Sequence, residues 1–455
     1  MSDSEVEKAK ISAYILGALS EELDKVTRHP VDPYTKFVYD RARELYWTIS
    51  RAFKTLIRQL SRSRGLPALP RGVALTGDVP APAGSNRLFI DMTNTVASGA
   101  KTGVQRVVRE IAQNCALLGA GIPVVIEAGQ LVPYYRHPML PTQIEPGPGD
   151  VLLILDAAWN NVSDYPAVMG VIKARGGRTI VAVYDTLPLT YPALFSPSIV
   201  GGFRAWREQI VLASDAAVAI SRATAESLAA NLRGGGPPAN LPIGWWPLGA
   251  DFAKVSKGEP SEKVARTASG ASYFLSVGTL EPRKGYPIAI DAFERLWGAG
   301  VDTRYVIVGR PGWNTSALQE RLLKHKEFNR RLFWFENATD ADLHVLYSQA
   351  RGAVLCSVAE GFGLPLIEAA FHGVPVIASD IPVFREVGGE GARYFDLLDS
   401  ASLAAAIEQT LARPRTAPSV RTISWRESAE LLVRLIREDR YQLRPERPKT
   451  PSLSP

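Results

Sequence analysis

The clearest fold signal in the chain is ARGAVLCSVAEGFGLPLIEAAFHGVPVIAS, residues 350–379. Two apolar runs within it, AVLCS (353–357) and VPVIAS (374–379), have the length and composition of buried strands. Between them, EGFGLPLIEAAFHG (360–373) begins with a glycine-rich turn, continues as a helical pattern and ends at a glycine. A strand, a helix and a second strand in this order predict a βαβ unit with parallel strands.

The same alternation of strand-like runs and helical patterns extends along most of the chain. It runs over 87–253 and, after the polar interval 254–270, over 271–420. The strand-like runs are RLFIDMT, IPVVIEA, VLLILD and TIVAVYD in the first half and SYFLSVG, RYVIVG, RLFWFE, AVLCS and VPVIAS in the second. We therefore expect an α/β fold of two doubly wound, Rossmann-like domains with parallel sheets, joined by a connector at 254–270. Two such domains facing one another form a cleft at the carboxyl ends of both sheets, where α/β proteins bind ligands.

The two ends of the chain differ from these halves. Residues 4–28 and 33–63 have helical patterns, and HPVDP (29–33) interrupts them. We therefore predict four flanking segments: a helical extension over 1–64, a Pro/Gly-rich linker over 65–86, a C-terminal helix over 421–440 and a disordered, proline-rich tail over 441–455.

The second helical pattern is amphipathic and basic. Its apolar side chains repeat on one face: Leu45, Ile49, Phe53, Leu56 and Leu60. Its basic side chains fall largely off that stripe: Arg51, Lys54, Arg58 and Arg62. Helices of this kind bind anionic membrane surfaces, and they also pack on a protein body or on a second subunit. For residues 45–62 we keep both interpretations, an anionic membrane surface and a protein contact such as a homo-oligomer.

Composition excludes several classes of protein. The 455 residues are 46% apolar and 22% charged, as in soluble proteins of more than one domain. Cys115 and Cys356 lie 241 positions apart, which argues for a reducing compartment and against a disulfide framework or zinc site. The segment from Lys36 to Arg64 contains eight Lys/Arg and two acidic residues, which equals the whole net charge of +6. Because the rest of the chain is close to neutral, we expect no nucleic-acid partner. We see no signal peptide and no apolar run near the ~20 residues that span a bilayer. We therefore expect a cytoplasmic protein, peripheral at the inner membrane if the basic helix binds lipid.

The side chains that suggest chemistry follow the predicted strands. These positions are Asp91, Asp156, Asp185, Gly278, Gly309 and Glu360. In SVGTLEPRKG (276–285) the strand ends at Gly278, and the loop after it carries Arg283 and Lys284. Such a pair suits a diphosphate, because Arg can bind two oxygens while Lys adds a point charge. The alternative is an ordinary solvated basic turn.

The turn at the start of 360–373 suits an anionic ligand. Gly361 and Gly363 leave the backbone N–H groups open to close approach, and a helix N-terminus favours negative charge. We expect Glu368 in the first helical turn, where its carboxylate can accept two hydrogen bonds from a ribose diol. Alternatively, Glu368 only stabilises its own helix start. Glu360, at the strand end, can bind the hydroxyls of a sugar ring.

Taken together, these motifs resemble the retaining glycosyltransferases of family 4, which have the GT-B fold of two Rossmann-like domains facing a cleft. EGFGLPLIE resembles the E-x7-E motif of that family. The other matching segments are TGVQRVVRE, VYDTLPLTYP, SDAAVAISRATAESL, WPLGADF, VGTLEPRKG, VIVGRPGW, ATDADLHVLYSQA, SDIPVFREVGGEGARYFD and WRESAELL. The resemblance covers about residues 87–438, with the first domain on the acceptor side and the second binding the nucleotide sugar.

The resemblance implies roles for individual residues. Arg283 and Lys284 match the basic pair on the donor diphosphate, Glu368 the glutamate on the nucleotide ribose, and Glu360 the glutamate near the donor sugar. The other donor-binding positions are Gly103, in a loop that closes over the diphosphate, Gly278 and Thr279, ahead of the basic pair, and Gly361, Phe362, Gly363 and Leu364, in the turn whose amides touch sugar or phosphate. Asp185 stands where many relatives have a His-Asp pair, and we include it with Arg283, Lys284 and Glu360 in the catalytic set. Tyr184 replaces that histidine, so no histidine role is carried over.

The resemblance also implies a mechanism. Cleavage of the anomeric C–O bond leaves a diphosphate anion and an oxocarbenium-like sugar, and the paired cations and helix amides stabilise the anion. We expect no cofactor and no metal, and same-face attack in which the leaving phosphate takes the acceptor proton. Glu360 as a covalent nucleophile is the alternative. The DAD sequence at Asp340–Asp342 imitates a metal-binding motif, but with Thr339 it predicts a helix capping box.

The predicted function is therefore retaining transfer of a hexose from a sugar nucleotide to a glycan or lipid-linked acceptor in bacterial surface polysaccharide synthesis. TGVQRVVRE and VYDTLPLTYP most resemble mannosyltransferase-like members, which makes GDP-mannose the leading donor. The alternatives are a non-catalytic sugar-nucleotide-binding scaffold of an assembly complex, or an epimerase or phosphorylase of the same fold.

Overall fold

We describe the fold from a computed structural model of the chain. It describes residues 85–99, 102–135, 140–141, 143–233, 240–251, 258–270 and 272–443, which all belong to one compact unit, Gly72–Pro455. The predicted helical extension over 1–64, the linker up to residue 84 and the tail beyond residue 443 lie outside the described residues. The membrane or subunit contact predicted for 45–62 lies outside them as well.

The first half of the chain forms, within the described residues, a sheet of seven strands in the order β3-β2-β1-β4-β5-β6-β7. The strands are β1 (Leu88–Asp91), β2 (Ile122–Glu127), β3 (Gln130–Pro133), β4 (Val151–Ile154), β5 (Arg178–Val183), β6 (Ala216–Ala219) and β7 (Ile243–Trp245). The neighbours are parallel except β2 and β3, which pair antiparallel. Ala128 and Gly129 join them as a two-residue hairpin turn with positive φ angles of 51° and 77°. The prediction of an all-parallel first sheet is therefore wrong at this edge.

The second half forms, in the part of the chain that is described, a sheet of six parallel strands in the order β10-β9-β8-β11-β12-β13. The strands are β8 (Tyr273–Val277), β9 (Arg304–Val308), β10 (Leu332–Phe335), β11 (Gly352–Leu355), β12 (Val376–Ser379) and β13 (Ala392–Phe395). The helix between β11 and β12 makes the βαβ unit predicted from residues 350–379. The two doubly wound domains predicted from the sequence are confirmed.

Helices connect the strands and cover both faces of each sheet. Those of the first domain are α1 (Thr93–Ser98), α2 (Gly103–Leu117), α3 (Tyr165–Ala174), α4 (Leu187–Thr190), α5 (Pro197–Trp206), which continues as a π-helical turn over Arg207–Val211, and α6 (Arg222–Arg233). Those of the connector and second domain are α7 (Glu262–Ala268), α8 (Tyr286–Gly298), α9 (Ser316–Lys324), α10 (Asp340–Gln349), α11 (Leu364–Phe371), α12 (Pro382–Gly388), α13 (Ser400–Leu411) and α14 (Trp425–Arg437). Short 3-10 turns lie at Ala158–Asn160, Val162–Asp164, Pro192–Leu194, Pro282–Lys284 and Gly389–Gly391.

In each sheet the chain adds strands first on one side of the starting strand and then on the other. The place where it changes sides indicates where a ligand binds. In the first sheet this change falls between the neighbours β1 and β4, and in the second between β8 and β11. Open α/β sheets bind ligands at the carboxyl ends of such strands. Asp91 is the last residue of β1 and Asp156 follows β4, while Gly278 and Glu360 follow β8 and β11.

The C-terminal helix α14 returns from the second domain to the first and packs on α2. Its apolar side chains, including Trp425, Leu432 and Ile436, are buried in a core that also holds Val107 and Ile111 of α2. The Trp425 amide donates to Asp251 at 2.5 Å, and the Ser428 hydroxyl donates to the Pro247 carbonyl at 2.7 Å, so the helix is fixed by polar contacts as well.

The connector and the predicted tail both contain ordered structure. The connector at 254–270 includes α7, whose Val264 and Ala268 are buried. Residues 441–443, predicted as the start of a disordered tail, instead reach β7, where Ile243 and Leu443 form an antiparallel bridge. Among the described residues, no helix is long and apolar enough to cross a membrane.

Candidate functional site

The predicted basic loop joins the end of β8 to α8 and has a conformation that requires glycine. Gly278 has φ of 150°, and Gly285, just after the 3-10 turn at Pro282–Lys284, has φ of 66°. A Cβ atom at position 285 would overlap the carbonyl oxygen of Cys356. The Val358 amide also donates to the Arg283 carbonyl at 2.8 Å, so the loop is held against the end of β11. These contacts bring Arg283 and Lys284 to Glu360.

Glu360 is the centre of a compact charged cluster. Lys284 Nζ lies 2.5 Å from Glu360 Oε1, and Arg283 Nη1 lies 2.7 Å from Glu360 Oε2. The Ser357 hydroxyl donates to Glu360 Oε1 at 2.7 Å. The Glu360 side chain is only 9% exposed. Burial alone would raise the pKa of this carboxyl, but the charges of Arg283 and Lys284 outweigh burial and lower the pKa to about 2.

Two more carboxylates complete the cluster. Arg283 Nε lies 2.9 Å from Glu281 Oε2, so Arg283 binds two carboxylates at once. Asp185, half-buried after β5 of the first domain, accepts a hydrogen bond from the Leu187 amide at 3.0 Å. Burial raises the pKa of Asp185, although the nearby charge of Arg283 opposes the shift. The catalytic set predicted from the sequence is thus brought together from both domains.

The glycine turn between Glu360 and α11 is tightly enclosed. Gly363 precedes the helix with φ of 96°, and a Cβ atom there would lie 2.6 Å from the Phe384 ring. Phe362 is buried, and Pro365 lies in the first turn of α11, as predicted for a helix start. The turn therefore presents backbone N–H groups, rather than side chains, at the helix N-terminus.

Glu368 lies in the second turn of α11 and not in the first, because the helix begins only at Leu364. Its Oε1 accepts from Arg106 Nη1 at 2.7 Å, and its Oε2 accepts from the Tyr347 hydroxyl at 2.9 Å. The Tyr347 ring stacks on His372, with ring centroids 5.2 Å apart and planes within 2° of parallel. Burial, with a smaller contribution from His344, lowers the pKa of His372 to about 4.

The first domain meets the glycine turn directly. A Cβ atom at Gly361 would overlap the carbonyl oxygen of Tyr184 and lie 3.2 Å from Cβ of Asp185. The Gly361 carbonyl accepts hydrogen bonds from Ser221 Oγ at 2.7 Å and from Thr224 Oγ1 at 2.9 Å. The residues that the resemblance assigns to the donor are therefore at the boundary of the two domains.

A second contact between the domains lies at the start of α6. The Glu386 carboxylate, on α12, accepts from the backbone amides of Arg222 at 2.7 Å and Ala223 at 2.9 Å. A carboxylate at this position satisfies amides that have no partner within the helix. Glu386 thus holds the two domains together at the first turn of α6.

The remaining predicted donor positions lie around the same turn. Gly103 opens α2, and a Cβ atom there would lie 3.2 Å from Leu364 Cδ1. Thr279 is exposed after Gly278, whose carbonyl accepts from the Tyr286 hydroxyl at 2.6 Å. The Tyr184 side chain is buried, and its hydroxyl donates to the Leu155 carbonyl at 2.7 Å.

Asp91 and Asp156 form a buried acidic pair at the ends of β1 and β4. Asp91 accepts from the Thr93 amide at 3.0 Å and from the Tyr165 hydroxyl at 2.9 Å. Asp156 accepts from the Thr95 amide at 2.5 Å and the Thr95 hydroxyl at 2.9 Å. Burial raises the pKa of Asp91, and the Asp156 carboxylate raises it further, to about 7. The pair anchors α1 at the carboxyl end of the first sheet.

The capping box predicted at the DAD sequence is confirmed. The Asp342 carboxylate accepts from the Thr339 amide at 2.9 Å, and the Asp342 amide donates to Thr339 Oγ1 at 3.1 Å. Asp342 also accepts from the Ser261 amide at 2.7 Å, just before α7. In the described part of the chain, no group of three or more His, Cys, Asp and Glu side chains is arranged to hold a metal ion.

Sequence reasoning missed the partners of the two glutamates. Arg106 and Tyr347 bind Glu368, and Ser357 binds Glu360, yet none of the three was assigned a role. Arg106 and Tyr347 both fall in segments that carry the family resemblance, TGVQRVVRE and ATDADLHVLYSQA. That was the available signal, but sequence spacing does not reveal a pair 262 residues apart.

Part of the chain and its fold are similar to known glycosyltransferases. Residues 259–423 match the family described as "Glycosyl transferases group 1". The chain is 34% identical over 379 residues to the serotype-specific mannosyltransferase WbdA of Escherichia coli, covering 77% of this chain and 46% of WbdA. It is 34% identical over 137 residues to the O-antigen chain mannosyltransferase RfbU of Salmonella typhimurium, covering 30% of this chain and 38% of RfbU. The solved structure of sucrose-phosphate synthase from Thermosynechococcus elongatus has a TM-score of 0.52 and 18% identity, covering 78% of this chain and 98% of that one.

The chain thus spans about half the length of the WbdA proteins that it matches, or less. The likeness to sucrose-phosphate synthase concerns the fold and agrees with the two α/β domains described above. The GT-B fold predicted from the sequence is confirmed, and residues 259–423 are similar to the glycosyl transferases group 1 family.

Proposed function

We propose that the chain is a retaining glycosyltransferase that moves a hexose from a sugar nucleotide to a glycan or lipid-linked acceptor. The observation that carries the proposal is the contact of Arg283 and Lys284 with the buried Glu360 beside α11, within the segment similar to the glycosyl transferases group 1 family. Because WbdA and RfbU are described as mannosyltransferases, mannose is the leading sugar and GDP-mannose the leading donor. RfbU is described as acting on the O-antigen chain, which favours bacterial surface polysaccharide synthesis as the setting.

The donor is proposed to lie across the start of α11. Its diphosphate binds Arg283, Lys284 and the backbone N–H groups of the turn before the helix, where the helix dipole favours negative charge. Its ribose hydroxyls donate to Glu368, which is only 12% exposed and faces the first domain through Arg106. Its hexose lies near Glu360, between the two domains. This arrangement follows the E-x7-E motif that the sequence resembles.

The cluster suits the departure of a diphosphate. As the anomeric C–O bond breaks, negative charge grows on the leaving oxygen, and fixed cations stabilise it without rearranging. Arg283 and Lys284 are fixed in this sense, because Glu360, Glu281 and the short loop hold them in place. We propose that these side chains perform the charge stabilisation and that the reaction needs no metal ion.

Retention is proposed to proceed by attack on the face from which the diphosphate leaves. The bond from the anomeric carbon to the diphosphate oxygen breaks, the bond to the acceptor oxygen forms, and the acceptor proton passes to the diphosphate. Both oxygens of Glu360 are engaged by cations at 2.5 and 2.7 Å, which favours an electrostatic role over covalent attack. Asp185 lies beside the turn on the first-domain side, where its carboxyl can bind a sugar or acceptor hydroxyl.

A lipid-linked acceptor would place the enzyme at the cytoplasmic face of the inner membrane. The apolar and basic stripe of residues 45–62 supports contact with an anionic surface, at about 1 kcal/mol for each basic side chain near the headgroups. If so, deleting residues 1–64 weakens salt-sensitive binding to anionic vesicles and leaves transfer to a short soluble acceptor intact. Unchanged vesicle binding, or a change from dimer to monomer instead, would make the segment an assembly element.

The donor and the stereochemistry can be tested with the purified chain. A thermal-shift screen against UDP-, GDP-, ADP- and dTDP-sugars identifies the nucleotide, with GDP-mannose expected to stabilise the protein most. Transfer of the hexose from that donor to mannose-containing acceptor glycans is then followed by product analysis, and nuclear magnetic resonance should show an anomeric configuration equal to that of the donor. Binding without transfer to any acceptor would favour a scaffold, and an inverted product would contradict retention.

A further inference from the structure

Arg106 is an N-terminal-domain cation that reaches into the proposed donor site. It lies one turn into α2, and its guanidinium contacts Glu368 Oε1 at 2.7 Å across the domain boundary. The Arg106 side chain is 37% exposed.

The contacts of α2 with α11 advance in step along both helices. Gly103 lies against Leu364 and, one turn further along each helix, Arg106 lies against Glu368. The first turns of the two helices therefore lie side by side and point the same way. Their N-termini, which both favour negative charge, come together near the glycine turn.

The charge balance of the cluster leaves room for a further cation. Arg283 and Lys284 are paired directly with the carboxylates of Glu360 and Glu281, so two cations face two anions. Asp185, close to Arg283, adds a third acidic group. A diphosphate brings at least two further negative charges, which these paired side chains do not balance. Arg106 can supply positive charge from the first domain.

A ribose diol at Glu368 has to share the carboxylate with Arg106 and Tyr347. Tyr347 is buried and held by its stack on His372, whereas the Arg106 side chain is 37% exposed. The ribose hydroxyls therefore displace Arg106 more readily than Tyr347. We propose that Arg106 is a donor-contacting residue that exchanges Glu368 for the diphosphate when the ribose binds, an inference that rests on the proposed function. The planar guanidinium suits this exchange, because it can bind two phosphate oxygens at once.

The proposal is tested by calorimetry with GDP and GMP, and with UDP and UMP as a second pair. Arg106→Gln should weaken diphosphate binding about 10-fold or more, the scale of a lost charge-assisted hydrogen bond, and weaken the monophosphate clearly less. The difference should persist when Arg106→Gln is made in a Glu368→Gln background. Arg106→Lys, which keeps the charge but not the fork, should bind the diphosphate with intermediate affinity.

Arg178→Gln is the matched control. Like Arg106, Arg178 pairs with a carboxylate far away in the sequence: it contacts Asp439 at 2.7 Å, and its side chain is 40% exposed. Unlike Arg106, it lies at the amino end of β5, away from the cleft. Its substitution should leave both affinities unchanged. Equal weakening of diphosphate and monophosphate, or no effect of Arg106→Gln in the Glu368→Gln background, would mean that Arg106 acts only through Glu368 and would overturn the proposal. If the wild-type protein binds neither diphosphate, the proposed function itself fails, and the role of Arg106 fails with it.

Discussion

Gly361 lies so close to Tyr184 that a Cβ atom at position 361 would overlap the Tyr184 carbonyl oxygen. One residue belongs to the glycine turn of the second domain and the other to the end of β5 in the first. The same glycine offers its carbonyl to Ser221 and Thr224. The turn whose amides are proposed to bind the donor is therefore also one of the points at which the two domains touch, and a change in the turn alters both.

Gly361→Ala is expected to lower turnover by about 10-fold or more, because the added methyl group must move the turn or separate the domains, and small displacements at a reacting centre are costly. Gly170→Ala, in α3 where a Cβ atom meets nothing within 4 Å, is the control and should leave turnover unchanged. Steady-state kinetics on both variants, with melting temperatures to verify folding, make the comparison. Normal turnover of the Gly361 variant would show that the contact is not needed in catalysis.

Glu368→Ala should weaken nucleoside diphosphate binding by roughly 1–3 kcal/mol, the cost of losing hydrogen bonds to a charged group. The physical reason is the buried carboxylate, which the ribose hydroxyls are proposed to share with Tyr347. Calorimetry with the nucleoside diphosphate measures the change. An unchanged dissociation constant would limit Glu368 to a structural link between α11 and its neighbours.

Asp342→Asn should lower stability while leaving turnover of the folded enzyme close to normal. Asp342 receives hydrogen bonds at the starts of both α7 and α10, and loss of a helix cap costs about 1 kcal/mol. Turnover should also survive chelation by EDTA. Thermal unfolding and kinetics with and without EDTA test both points. A metal requirement that disappears in the Asn variant would overturn the metal-free mechanism.

Asp91→Asn should alter how stability depends on pH. In the unfolded chain Asp91 ionises near its ordinary pKa, whereas in the folded protein burial and Asp156 raise its pKa to about 7. The folded protein thus binds more protons between these pH values, and its free energy of unfolding falls as the pH rises toward 7. The Asn variant lacks this contribution. The melting temperature of the wild type should therefore decline relative to that of the variant between about pH 4.5 and 7.5.

The exposed Asp302 provides the comparison for that titration, since Asp302→Asn removes a carboxyl without touching the buried pair. Its melting temperature should follow the wild-type pH profile. Parallel profiles for the wild type and the Asp91 variant would show that Asp91 is ionised throughout this range.

The sequence predicted the parts of the fold that have strong local patterns. Gly278 and Glu360 each follow a long apolar run. These runs predicted two strands, and they also predicted that the loops after the strands meet at the carboxyl edge of the sheet. β6 is AAVA, mostly alanine with weak strand preference, and β7 is only three residues long, so neither stands out as a strand in the sequence. The antiparallel edge at β3 was missed, because Ala128-Gly129 is not one of the dipeptides that mark a two-residue hairpin turn.

In the site, too, the contacts that follow from local patterns could be predicted, and those that depend on the packing of the domains could not. The pairing of Lys284 with Glu360 follows from strand order, because β8 and β11 are neighbours and their carboxyl ends meet. Glu368 was predicted in the first turn of α11 and lies in the second, because a helix start predicted from sequence is uncertain by a residue or more. The contact of Arg106 with Glu368 depends on how the two domains face each other, which no local pattern encodes.

The central claim is that Arg283 and Lys284 stabilise a departing diphosphate, and the turnover of Lys284→Ala at saturating donor tests it most directly. The control is Lys324→Ala, which removes a lysine of the same domain whose exposed side chain pairs with Glu320 at 2.6 Å. We predict turnover at least ~100-fold below wild type for Lys284→Ala, the scale of losing a preorganised contact to developing charge, and wild-type turnover for Lys324→Ala. Near-normal turnover of a folded Lys284→Ala enzyme would contradict the account.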